Sequence, residues 1–327
     1  MKLGSLKSNS KDGEFVVISR NLENVVKASH IAPSLLWAVE NWNTVSKQLE
    51  SLYQNLNEGK APGSFAYDET KFRSALPRTW LFADGSAFVH HIRLVRKARK
   101  ADVPETLLSV PLMYQGESGS FHDPISDIPQ IDFAHGTDFE GEIGVIVDQV
   151  EMGITPEAAL NKIKLVVLIN DVSLRGLIPT ELAQGFGFFQ SKPVKTLSPV
   201  ALTIDELGSA WKDGRLHLPL DIKLNDKFFG CANAGQMHFH FGHLIAHAAR
   251  TRSLAAGSLI GSGTVSNEDP QVGSSCLVEK RTIEQIETGK PITEFMKHGD
   301  TVEISMKDSS GKSLFGRIFQ KVQKVEI

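Results

Sequence analysis

A chain of 327 residues, 41% hydrophobic and 22% charged, has the length for a large core or two domains. Its net charge of −3 gives no broad attraction to nucleic acid or an anionic membrane, and no apolar run approaches the ~20 residues that cross a bilayer. The two cysteines, Cys231 and Cys276, read as free thiols of a reducing compartment, and MKLGSLKSNSKDGEF lacks the apolar stretch of a secretory signal, so a cytoplasmic protein is expected.

Taken in chain order, 14–20 (EFVVISR) predicts a short strand after a charged turn. The following PSLLWAVENWNTVSKQLESLYQNLNEG places Leu35, Val39, Trp42, Val45, Leu49, Leu52 and Leu56 three or four residues apart. That is one face of a single helix, with Pro33 suited to its start and Gly59 to its stop. The loose GKAPGSFAYDET then marks a boundary region, which divides the chain into an N-terminal domain (1–78) and a larger domain (79–327). The basic run Arg93–Lys100 reads as a solvated helix or loop face.

From 131 onward the pattern turns β-rich, with strands expected at 140–148, 164–170, 199–204, 218–224, 258–263, 301–306 and 312–320. KLNDKFFG reads as a hairpin turning at Asn225-Asp226. Helices are expected only at 156–162 and 241–252. Without a regular β-α-β alternation, the fold class is α+β, mostly β.

The chemistry concentrates in DFEGEIGVIV (138–147). Glu140 and Glu142 stand two apart at the mouth of an apolar strand, so they share a face and repel unless a cation or water lies between them. Asp171, at the end of the apolar run 165–169, is a second carboxylate held on a rigid strand, although it would equally serve to cap the next turn. Carboxylates gathered on neighbouring strand ends make an all-oxygen site for a hard cation. A rival constellation is HFHFGHLIAH, where His238, His240, His243 and His247 are either zinc ligands or polar histidines at a strand–helix junction. No GxSxG elbow or phosphate loop occurs, and Cys276 in its apolar setting reads as packing.

The segments FADGSAFVHH, PLMYQGESGS, DFEGEIGVIVDQV, LINDVSLRG, FGFFQSKPVKTLSPVAL and AAGSLIGSGTVSNEDP together resemble, in order and spacing, the fumarylacetoacetate hydrolase family, and bacterial fumarylacetoacetases in particular. The resemblance implies a mixed β-sandwich roll with a smaller N-terminal region, a homodimer, and a divalent cation, Mg²⁺ or Ca²⁺ with Mn²⁺ as an alternative. The ion would be bound by Asp84, Glu140, Glu142 and Asp171. It implies His91, or its neighbour His90, as catalytic base oriented by Glu279. Arg175 and Lys192 match cationic groups around the substrate, and Tyr114 and Thr264 match substrate-contacting positions. Two departures stand out: Ile178 where some members carry a Gln, and Ser86 where a Tyr is often seen. The implied activity is hydrolysis of a carbon–carbon bond in a small β-diketo acid, such as fumarylacetoacetate in tyrosine and phenylalanine breakdown. An acylpyruvate hydrolase, or an oxo-acid decarboxylase or isomerase of the same fold, is the alternative.

Overall fold

A computed structural model describes residues 1–98 and 105–326. Its spine is an 11-stranded sheet. From one edge the strands run Phe65–Ala66, Asn24–Lys27, Glu14–Ile18, Lys2–Leu6, Ala201–Leu202, Ile163–Asn170, Gly141–Val147, Leu259–Gly261, Phe82–Gly85 and Met113–Gly116, with Thr196–Leu197 also paired to Ile163–Asn170. A 5-stranded sheet, ordered Lys227–Asn233, Pro219–Leu224, Thr301–Lys307, Ser313–Lys324 and Ile125–Gln130, packs across it. The fold is α+β and mostly sheet, as the sequence pattern predicts.

The two central strands are buried on both faces, which explains their unbroken apolar runs. Ile143, Val145 and Val147 point into the main core, together with Val166, Leu168, Ile222 and Ile304. Each fully buried aliphatic side chain of this kind contributes about 2 kcal/mol by removal from water. Ile146, Leu165, Val167 and Ile169 point the other way, into a second core.

That second core is closed by the N-terminal helices, which form two elements rather than one: Leu35–Glu40 and Trp42–Asn57. The break falls at Asn41. Its side chain and backbone N–H both donate to the Trp37 carbonyl, which ends the first helix before the second begins. Ser34 caps the first helix through the Trp37 N–H, and Val45, Leu49, Tyr53 and Leu56 form the buried stripe of the second. The sheet is continuous across residue 78, because Lys2–Leu6 pairs with Ala201–Leu202.

The expected hairpin is present, with Asn225 and Asp226 both at positive φ, 52° and 60°. The helix expected at 241–252 ends at Ala248, and that expected at 156–162 ends at Leu160. Two further helices bear on the site: Val89–Ala98 and Leu277–Thr288. The former takes up most of the basic run; Arg99 and Lys100 lie outside the described residues. Among the described residues, no helix is long and apolar enough to cross a membrane.

Candidate active site

Glu142 and Asp171 belong to two strands consecutive in sequence and Asp84 to a strand far upstream, and the sheet order brings the three together. Asp171 follows Ile163–Asn170, Glu142 lies in the adjacent Gly141–Val147, and Asp84 lies one strand further, beyond Leu259–Gly261. Neighbouring strands are about 4.8 Å apart, so the backbones bearing Glu142 and Asp84 are separated by roughly 10 Å. The carboxylates meet because the intervening strand presents Gly261 to Asp84. A Cβ there would lie 2.2 Å from Asp84 Oδ1. Gly263, at φ +74°, donates its N–H to the same oxygen at 2.9 Å. One oxygen from each of the three carboxylates falls within 4.8 Å of the others.

Glu140 lies on the same strand face but is differently occupied. Its Oε1 accepts from Arg175 Nη2 at 2.6 Å and its Oε2 from Lys192 Nζ at 2.6 Å. Burial alone would raise its pKa, but Lys192 and Arg175 outweigh burial and hold it well below the usual carboxylate range. Lys192 also donates to Asp171 Oδ2 at 2.7 Å, where the Tyr114 hydroxyl donates at 2.6 Å. Tyr114 therefore fixes a carboxylate of the triad as well as lining the cleft.

The triad itself has a different electrostatic character. Among the described residues no N–H or cationic side chain donates to either buried oxygen of Glu142; they meet the Asp84 carboxyl instead. Burial, then the charges of Asp84 and Asp171, push Glu142 well above the usual range, and burial followed by Asp171 pushes Asp84 up to about 7. Apart from Glu279, which faces His91, five buried carboxylates (Asp84, Asp138, Glu140, Glu142, Asp171) face three cations (Arg175, Lys192, Lys195), leaving two surplus negative charges when all are ionised. One divalent cation carries the matching charge. The donor set is all oxygen, so Asp84, Glu142 and Asp171 fit a hard ion.

His91 stands across the cleft on the helix Val89–Ala98. Its Nδ1 lies 2.7 Å from Glu279 Oε2, and their side chains are 16% and 2% exposed. The carboxylate accepts from Nδ1–H, which leaves Nε2 as the basic atom. His90 instead lines a separate surface cleft with His238. Ser86, Ile178, Arg175, Lys192 and Thr264 line the same cleft as His91.

Two contributors escape the sequence reading. Asp138 accepts from Arg175 Nε at 2.8 Å and from the Leu277 and Val278 N–H groups at 2.7 and 2.9 Å. It thereby ties Arg175 to the start of the helix that carries Glu279. The strand alternation extended back from Glu142 and Glu140 reaches Asp138 and was the available signal. Lys195, fully buried, lies 2.8 Å from Asp171 Oδ1; a lysine beside Pro193 and Lys192 gives no such warning.

The histidine cluster does not gather. Among the described residues, the carboxylate triad is the one group of three or more His, Cys, Asp or Glu donors close enough to hold a metal. His238 Nε2 is turned to the Leu108 carbonyl at 2.9 Å. His240 and His243 pair ring to ring at 3.8 Å, and burial, with His243 and Arg215 adding to it, pushes His240 down to about 4.

Residues 81–323 match the family model for the fumarylacetoacetate hydrolase C-terminal domain. The chain belongs to this family. Residues 1–78 of this fumarylacetoacetate hydrolase family member match a second model, fumarylacetoacetase N-terminal domain 2. A 2,4-didehydro-3-deoxy-L-rhamnonate hydrolase of Sphingomonas sp. (strain SKA58) is 27% identical over 60% of the chain, and the match spans 61% of that relative's own length. An oxaloacetate tautomerase of Bacillus subtilis is 22% identical over 75% of the chain and 73% of its own. Maleylpyruvate hydrolase from Sphingobium sp. SYK-6, solved with manganese(II) and pyruvate, shares the fold at a TM-score of 0.62 and 14% identity, with both chains covered in full. The family thus includes hydrolases and a tautomerase built on one scaffold.

Proposed function

We propose that the chain hydrolyses a carbon–carbon bond in a β-diketo acid, with fumarylacetoacetate, cleaved to fumarate and acetoacetate, as the leading substrate. The observation that carries this reading is that His91, held by Glu279, opens onto the same cleft as Asp84 of the carboxylate triad. Hydrolysis needs an activated water, and a histidine held in one tautomer by a buried carboxylate supplies the base. A divalent cation held by Asp84, Glu142 and Asp171 would supply Lewis-acid polarisation of the dicarbonyl oxygens. Mg²⁺, Ca²⁺ and Mn²⁺ all suit such a donor set.

The remaining steps belong to the protein. Glu279 keeps the proton on His91 Nδ1, so Nε2 takes the proton from water and later returns it to the departing carbon. Arg175 and Lys192, anchored by Asp138, Glu140 and Asp171, keep positive charge at the cleft, where negative charge develops on the attacked carbonyl oxygen. Tyr114 and Lys192 fix the Asp171 oxygen they share.

The similarity to an oxaloacetate tautomerase supports a second reading, since the same pair could shuttle a proton between carbon and oxygen without breaking the carbon chain. An absorbance assay against a panel of diketo acids, with added Mg²⁺ or Mn²⁺ and after exhaustive chelation, tests the hydrolase reading. Cleavage removes the conjugated diketone absorbance and yields two smaller acids. Full activity after chelation, or products with an unchanged carbon skeleton, would sink it.

A further inference from the structure

The helix Leu277–Thr288 serves more than one purpose. Glu279 faces His91, while Val278, Arg281, Thr282 and Gln285, three or four residues apart, line a second cavity closed by Pro291 and Phe295. This cavity and the cleft share Val95, Arg175, Ile178 and Val278 among their walls. The two cavities thus adjoin at a neck of four residues, three of them apolar. Beyond the neck the cationic group is Arg281. Its guanidinium lies 4.2 Å over the Phe295 ring and donates through Nη1 to the Thr293 carbonyl. Among the described residues no carboxylate forms an ion pair with it; Glu294, next to Phe295, pairs with Lys297 and feels the Arg281 charge only at longer range. An arginine flattened on an aromatic ring and pinned at one nitrogen is pre-organised to accept a planar anion with its remaining donors.

We propose that the second cavity is a distal subsite for a carboxylate at the far end of the substrate's acyl part, with Arg281 as its receptor. Val95, Ile178 and Val278 surround the hydrocarbon link between that carboxylate and the reacting dicarbonyl. Ile178 accordingly belongs to a passage for carbon rather than to the polar chemistry. The inference rests on the hydrolase reading for where the dicarbonyl sits, and it selects diketo acids with an anionic tail over those with a neutral one.

The test compares two 3,5-diketo acids, acylacetoacetates that differ only at the tail: the fumaryl substrate and its crotonyl analogue, with methyl in place of the distal carboxylate. In Arg281→Met the ratio of kcat/KM for fumaryl over crotonyl substrate should fall at least tenfold, with the loss in KM, and Arg281→Lys should restore part of it. A fall of less than fivefold overturns the proposal. If the wild-type enzyme cleaves neither substrate, the hydrolase reading fails. The subsite is then decided by calorimetric binding of fumarate against crotonate to the Mn²⁺-supplemented proteins. Fumarate binding that Arg281→Met weakens at least fivefold keeps the subsite, and any smaller effect, or no fumarate binding, removes it.

Discussion

Removing the cation from the triad should make the stability of the fold depend on pH in a direction opposite to that of most carboxylates. Asp84 sits at about 7 in the metal-free fold against an ordinary 3.8, so the folded chain holds the proton more tightly than the unfolded one. The stability linked to that proton is fully present below 3.8 and is lost as pH rises through about 7. The total is about 4 kcal/mol, of which about 2 kcal/mol disappears between pH 5 and pH 7. For 327 residues the unfolding entropy is on the order of 0.7 kcal/mol per kelvin, so Tm should fall by about 3 °C over that interval. A bound cation takes the place of the proton and removes the penalty. The measurement is a pair of melting curves, metal-free and saturated with Mn²⁺, taken from pH 5 to pH 8. Their difference cancels every titration not linked to the site, and it should widen with pH in the wild type but not in Asp84→Asn. A gap that stays constant within about 1 °C in the wild type would refute the reasoning.

His91→Ala should lower kcat by roughly 10²–10⁴-fold in steady-state assays, the range for loss of a general base, and a loss under about tenfold would remove His91 from that role. Glu142→Gln should abolish calorimetric cation binding, because it replaces one of the three carboxylates of the triad with a neutral amide. Gly263→Ala forces a side chain into φ +74°, with its Cβ 2.2 Å from the Gly85 carbonyl. It should cost on the order of 1–3 kcal/mol in denaturant melts and weaken cation binding through Asp84. Asp138→Asn should leave the triad intact yet lower kcat more than it raises KM, by loosening Arg175 and the start of the Glu279 helix together.

The strands legible in the sequence are those whose local pattern matches their burial. Gly141–Val147 and Ile163–Asn170 bury both faces and read as apolar runs, and the Asn225-Asp226 turn declares itself by residues that tolerate positive φ. Lys2–Leu6 and Phe82–Gly85 are too short and too glycine-rich to show a period. The helix Leu277–Thr288 inverts the usual rule: it buries Glu279 and Glu284 and leaves Ile286 exposed, so hydrophobic spacing conceals it. In the site, the pairing of Glu140 with Glu142 was visible from alternation. That Glu140 would be claimed by Arg175 and Lys192, while Asp84 joined the triad from a strand some 60 residues upstream, depends on sheet order, which spacing along a chain does not encode. Family resemblance supplied Asp84, His91 and Glu279, whose local contexts alone are those of ordinary turn and helix residues.

The pairing of Lys2 with Leu202 and of Leu3 with Ala201 has a consequence for how the molecule is made. On a ribosome adding about 5–20 residues per second, the partner of this strand is synthesised roughly 10–40 s after the strand itself. Through that interval the N-terminal meander can pair internally, but the outer hydrogen-bonding groups of Lys2–Leu6 present an open edge to any other nascent chain. Slowing translation before residue 201 should therefore lower the soluble yield more than slowing it after, a cost set by topology alone.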